Sequence, residues 1–170
     1  MTGDVAHIDV TATRPDVDDT TEAPRELASE FARALTTGDR ESVGSLLATS
    51  VAVLISGRGP TAGRHDGSDE ARSALLVDAR PDAVVDAVDV AEVLADGRRA
   101  LVVIAQSGSI GSRPVTWETA YHLQTDGERI VGVTEYSGDQ YVADEVTSVP
   151  VMPNEGRWWR WRARSRRARS

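Results

Sequence analysis

Residues Val115–Tyr136, VTWETAYHLQTDGERIVGVTEY, constrain the fold of this chain more than any other stretch. They read as two long strands joined at Asp126-Gly127, a dipeptide that accepts the positive φ of tight hairpins. On the first strand Trp117, Thr119, Tyr121 and Leu123 point one way, and Glu118, Ala120, His122 and Gln124 point the other. On the second, Val133, Glu135 and Ser137 share a face. A face carrying Glu118, His122 and Glu135 is too polar for an ordinary core. It is either exposed to solvent or the wall of a pocket.

The elements before this pair set the class. Thr21-Glu22-Ala23-Pro24 has a hydroxyl, an acid and an early Pro in the places that start a helix. Leu27, Phe31, Ala34 and Leu35 follow at helical spacing up to Gly38. Asp39 is placed to cap a second short helix with Val43, Leu46 and Leu47 on its apolar face. Val51–Ser56 reads as a strand, and Gly57, Gly59, Pro60 and Gly63 break it into a loop. Ser68-Asp69-Glu70 opens a third helix expected to end near Arg80-Pro81. From Ala83 the period becomes two, with strands over Val84–Leu94 and Arg99–Gly108. Helices followed by an antiparallel meander make an α+β protein. Asp139–Val149 fits a closing strand or helix equally.

Composition narrows the chemistry. At 170 residues the chain suffices for one domain with a proper core. It has no Cys, which removes disulfide and thiolate chemistry, and no Lys, which removes Schiff bases. With no long apolar run and no signal-peptide core in the acidic N-terminus, the expected location is the cytoplasm. Three scattered His make no metal pattern, and no cofactor is expected. Gly57-Arg58-Gly59 lacks the context of a phosphate loop, and no serine-hydrolase motif occurs. Residues 1–20 are Asp- and Thr-rich without apolar period and read as a disordered leader. The net charge of −8 is uneven: seven Arg follow Glu155, and the preceding residues carry twelve Arg against 27 acids, a net −15. An acidic body of this kind repels nucleic acid. Residues 150–170 are a basic tail whose Arg157-Trp158-Trp159-Arg160-Trp161-Arg162 run suits an anionic membrane, another polyanion or the acidic body itself.

The element order, Phe31…Gly38-Asp39, Ser50-Val51-Ala52-Val53, the Gly-rich loop and Asp126-Gly127-Glu128-Arg129-Ile130-Val131…Glu135-Tyr136 together resemble the NTF2-like superfamily, in its SnoaL-like and ketosteroid-isomerase-like branches. The resemblance covers about residues 22–146 and makes 21–149 the SnoaL-like domain. It implies N-terminal helices packed on a curved, mostly antiparallel sheet, forming a cone with an apolar pocket, and a homodimer made through the sheet. The isomerase groups do not carry over. The family's oxyanion Tyr falls on Phe31, its catalytic Asp near Ile55, and its protonated Asp on Ala120. The Asp of SnoaL-like cyclases falls one position from Asp139.

The resemblance turns Glu118, Ala120 and His122 toward the interior, beside Glu135 on the neighbouring strand. Glu118 and His122 stand about 13 Å apart along their strand. His122 is then the general acid/base, Glu135 its orienting carboxylate and Glu118 a second acid. Phe31, Ile55, Ala120, Val133, Ser137, His65 and Asp139 are the expected substrate contacts. A register one residue different puts Trp117 and Tyr121 in the core and His122 on the surface. Two functions stay open: a cofactor-independent isomerase, cyclase or dehydratase acting on an apolar, carbonyl-bearing metabolite of polyketide or steroid type, or a non-catalytic ligand-binding or dimerisation module.

Overall fold

The computed structural model describes residues 21–147; the leader and basic tail read from the sequence lie outside the described residues. Helix α1 (Glu22–Thr37) buries Ala28, Phe31, Ala32 and Ala34 on one face and stops at Gly38, whose φ is 67°. Thr21 does not cap it. Its backbone is helical rather than extended, and its side chain accepts no hydrogen bond from the first turn. Helix α2 (Arg40–Leu46) has the expected cap, with Asp39 accepting from the Ser42 N–H at 3.0 Å and the Ser42 hydroxyl at 2.6 Å. Those two bonds, the hydroxyl first, hold the Asp39 carboxyl below its usual range.

Six strands follow: β1 (Leu47–Ile55), β2 (Gly63–Asp66), β3 (Ala83–Asp96), β4 (Arg99–Ile110), β5 (Arg113–Thr125) and β6 (Ile130–Ser137). Helix α3 (Ser68–Leu75) lies between β2 and β3, and α4 (Gln140–Thr147) ends the described chain. The sheet order is β2-β1-β6-β5-β4-β3. Only β1 and β6 run parallel; the other neighbours are antiparallel. Register shifts in β3, between Val85 and Ala87 and between Val90 and Glu92, are bulges that curve the long β3–β4 pair. The result is an open, curved α+β sheet with helices on its concave side.

Two expectations change, and one open choice is decided. Gly63–Asp66 is an edge strand, not loop: its GRHD sequence has no apolar alternation, and pairing with Ala52–Ile55 defines it. Helix α3 ends at Leu75, before Arg80-Pro81, where the Arg80 N–H bonds to the Val146 carbonyl instead. The closing segment is a helix, fixed at its start by Asp139 accepting from the Val142 N–H at 3.1 Å. The β5–β6 turn spans Asp126–Arg129, since Thr125 pairs with Ile130. Asp126 accepts from the N–H groups of Glu128 and Arg129, at 2.9 and 2.8 Å, and its carboxyl is held low by those bonds.

The faces of β5 decide where a site can lie. Val115, Trp117, Thr119, Tyr121, Leu123 and Thr125 are buried, while Glu118 and Gln124 are exposed and Ala120 and His122 half-buried. Tyr121 and Leu123 face the core with Phe31, Val53, Val102, Ile104, Ile130 and Val133, and Val115 and Trp117 pack with Ile110 and Val146. The expectation that Glu118, Ala120 and His122 face inward is therefore corrected. They lie on the convex face, because burying Trp117, Tyr121 and Leu123 removes far more apolar surface from water.

Candidate functional site

Between the concave face of the sheet, α3, α4 and the β1–β2 loop lies a cavity of about 170 Å³. The sheet contributes Ile55, Gln106, Trp117, Thr119, Tyr121 and Glu135, and α4 contributes Gln140 and Asp144. Glu135 stands at the middle of this wall. Its Cα pairs with Ile55 of β1 on one side and Tyr121 of β5 on the other. Directly opposed residues on paired strands have Cβ atoms about 5 Å apart, so the carboxyl and the phenol ring share one space.

Burial sets the electrostatics. The Glu135 carboxyl is pushed up to about 7, because burial takes it out of water and no described residue pairs with its charge. No hydrogen bond from a described residue reaches that carboxylate. The Tyr121 phenol is pushed well above its usual value, by burial first and by the neighbouring Glu135 second. It stays an O–H donor throughout the working pH range. Tyr121 is braced from behind by Phe31, ring centroids 5.9 Å apart and planes at 78°. The Thr119 hydroxyl donates to the Gln106 side-chain oxygen at 3.3 Å, leaving the amide nitrogen of Gln106 without a protein acceptor among the described residues.

The cavity's outer wall is tied down through Asp144. Its carboxylate accepts from the backbone N–H groups of Arg58, at 2.9 Å, and Gly59, at 3.1 Å, and from the Gln140 amide at 3.0 Å. Gln140 also donates to the Ser56 carbonyl at 3.3 Å. Gly57 makes this closure possible. Its φ is 105°, and a Cβ there would sit 2.2 Å from Gln140 Nε2 and 2.3 Å from Asp144 Oδ1. Gly57→Ala is expected to destabilise the fold by about 1–3 kcal/mol. Faster hydrogen exchange in α4, measured amide by amide, would locate the damage; unchanged exchange there would mean that the loop does not hold the helix.

The residues singled out in the sequence are thereby separated. Glu135 and Ile55 line the cavity. Phe31 and Val133 are core residues, at 0% and 2% exposure, with Phe31 behind the cavity wall. His122 pairs with Thr134, whereas Glu135 pairs with Tyr121, so the imidazole and the carboxyl lie on opposite faces of the sheet and the expected hydrogen bond between them is not formed. Glu118 and Ala120 share the face of His122. The Ser137 hydroxyl leans on the Glu118 carbonyl at 3.5 Å, and Asp139 caps α4. His65 does not line the cavity; it bridges the Thr61 carbonyl at 2.7 Å and Glu70 at 3.2 Å. Tyr121, Thr119, Gln106 and Gln140 were not picked out in the sequence. Among the described residues no three His, Asp or Glu side chains converge as a metal ion would need.

No family model matches the chain by sequence, and no curated protein does. In structure the chain is similar to a protein of unknown function with a cystatin-like fold from Xanthomonas campestris, at 20% identity and TM-score 0.59 over 74% of this chain and 98% of that one. It is similar to an NTF2-like protein from Burkholderia xenovorans, at 21% identity and TM-score 0.56 over 75% and 98%. A putative ketosteroid isomerase from Kribbella flavida aligns at 24% identity and TM-score 0.53 over 70% and 80%. The fold is thus NTF2-like, an α+β cone.

Proposed function

We propose that the chain is a small acid–base enzyme acting on a compact, uncharged carbonyl compound without a cofactor. The observation that carries this is Glu135: a carboxyl on the wall of a cavity, facing a neutral phenol, poised near neutral pH by burial. Glu135 takes the proton from the carbon beside the carbonyl. The Tyr121 O–H donates to the oxygen on which the enolate charge develops. Where a carbon–carbon double bond lies β,γ to the carbonyl, returning the proton to the γ-carbon moves that bond into conjugation and completes an isomerisation with no further reactant. His122 has no part in this scheme, and Glu135 acts as the base rather than as its orienting partner.

The walls support that substrate class. Among the described residues no Arg or His lines the cavity, so an anionic substrate would meet no counter-charge from them. Trp117, Tyr121, Ile55 and Leu75 offer apolar contact. A volume near 170 Å³ is close to the engineered cavity of about 150 Å³ that accepts benzene. That space suits a single-ring or short-chain carbonyl compound and is too small for four fused steroid rings.

The test is deuterium exchange at carbon. Small ketones and enones are incubated with the protein in D2O, and loss of the α-proton signals is followed by NMR. Exchange by the native chain that disappears in Glu135→Gln supports the proposal. Binding without exchange in either protein would make the cavity a ligand-binding site only.

A further inference from the structure

The convex face of the sheet carries a second feature, independent of the cavity chemistry. No described helix covers it, yet its centre is apolar: Leu101, Val103, Ala105 and Ala120 are half-buried there, and Leu54, Leu94 and Tyr136 stand 47–53% exposed. Cross-strand pairing sets Asp89, Ala105 and Glu118 in one row over β3, β4 and β5, and Glu92, Val103, Ala120 and Tyr136 in the next. The Cα atoms of the two acids in the first row are therefore about 9–10 Å apart with an alanine floor between them. Beside them opens a groove of about 500 Å³ lined by Ala87, Asp89, Ala105, Ser107, Glu118 and Asp139. No described Arg or His lines the groove, and none of its three acids is in an ion pair with a described residue.

We infer that this face is the docking surface for the chain's own C-terminal segment, Arg157–Arg164. The segment has the complementary chemistry. Arg160, Arg162 and Arg164 alternate with Trp161 and Ala163. In an extended strand the three guanidinium groups fall on one side about 7 Å apart. Laid on this face, they would reach the carboxylates of Asp89, Glu92 and Glu118, and Trp158, on the same side of the strand, would cover the apolar floor. The connection is long enough. Asp139, at the groove, immediately precedes α4, whose eight residues carry the chain only about 12 Å away. The ten residues from Thr147 to Arg157 then span up to about 33 Å, ample for the return. A second copy fits this face less well. A two-fold contact sets each copy's patch against the same patch of the other, so two acidic surfaces with no described Arg or His between them would face each other.

The full chain tests this directly, because it has no Cys. Ser165→Cys provides a single attachment point for a nitroxide spin label. With the docked segment, the label is expected to erase the amide signals of Ala87, Ala105 and Ala120 and spare those of Val43 and Ala71 on the far side. Asp89→Asn combined with Glu118→Gln should restore the signals. So should about 1 M salt, where the screening length falls to about 3 Å. Three results would overturn the inference: no loss of these signals, an equal loss in the neutralised variant, or a loss seen only when labelled and isotope-enriched chains are mixed. The last would place the segment on a second copy.

Discussion

Glu135→Gln is expected to lower α-proton exchange by about 10²–10⁴-fold, the usual contribution of one positioned general base. Gln keeps the length and polarity of the side chain but has no basic oxygen, so loss of rate with the fold intact isolates the proton transfer. Tyr121→Phe should cost about 10²–10³-fold, because it removes one preorganised donor from the developing oxyanion while keeping the ring on Phe31. The pH profile carries its own sign. Exchange needs the ionised carboxylate, so the native rate should rise with pH and level off above about 7. His122→Ala, on the far face, should leave that profile unchanged. A rate that instead followed His122 would return the chemistry to the convex face.

Phe31→Ala is expected to be the most destabilising single change. Phe31 is 0% exposed on α1, and its ring supports the edge of Tyr121. Emptying such a site costs about 3–5 kcal/mol, because the lost transfer energy is joined by an unfilled cavity. For a domain of this size that lowers the midpoint of thermal unfolding by roughly 10–20 °C. Denaturant melts of Phe31→Ala and Phe31→Leu would separate volume from position, with Leu retaining much of the stability. Exchange activity should fall further than the folded fraction does, since Tyr121 loses the surface that aims its hydroxyl. A variant as stable as the native chain would mean that α1 does not brace the site.

The β5–β6 pair was legible because two signals agree: alternation along Trp117–Leu123 and a turn dipeptide at Asp126-Gly127. Which face of β5 points inward was legible from the same alternation. Trp117, Tyr121 and Leu123 are the large apolar side chains, and core burial outweighs any motif. Placing His122 inside came from aligning isomerase positions onto the strand, where a shift of one residue exchanges the two faces. Thr119 and Tyr121 were missed for the same reason. Gln106 could have been noticed as the polar residue continuing the inward series Val102, Ile104. β2 gave no signal, because its four residues belong to the sheet only by pairing with β1. The choice between helix and strand for α4 rests on tertiary contacts. Val146 packs with Ile110, Val115 and Trp117, and Glu145 pairs with Arg113.

The titration of Glu135 itself is the most direct measurement. Burial raises its carboxyl from 4.5 to about 7, so the folded state favours the protonated form. The associated stability is fully present below pH 4.5 and is lost as pH rises through about 7; the difference amounts to about 3 kcal/mol. Glu135→Gln should accordingly flatten the pH dependence of unfolding over that window. Carbon-13 NMR of the side-chain carboxyl, assigned by its absence in Glu135→Gln, reads the midpoint directly. A midpoint near 7 is the result that the proposed base requires. A midpoint near 4.5 would mean that water reaches the carboxyl freely, and the acid–base cavity would be wrong.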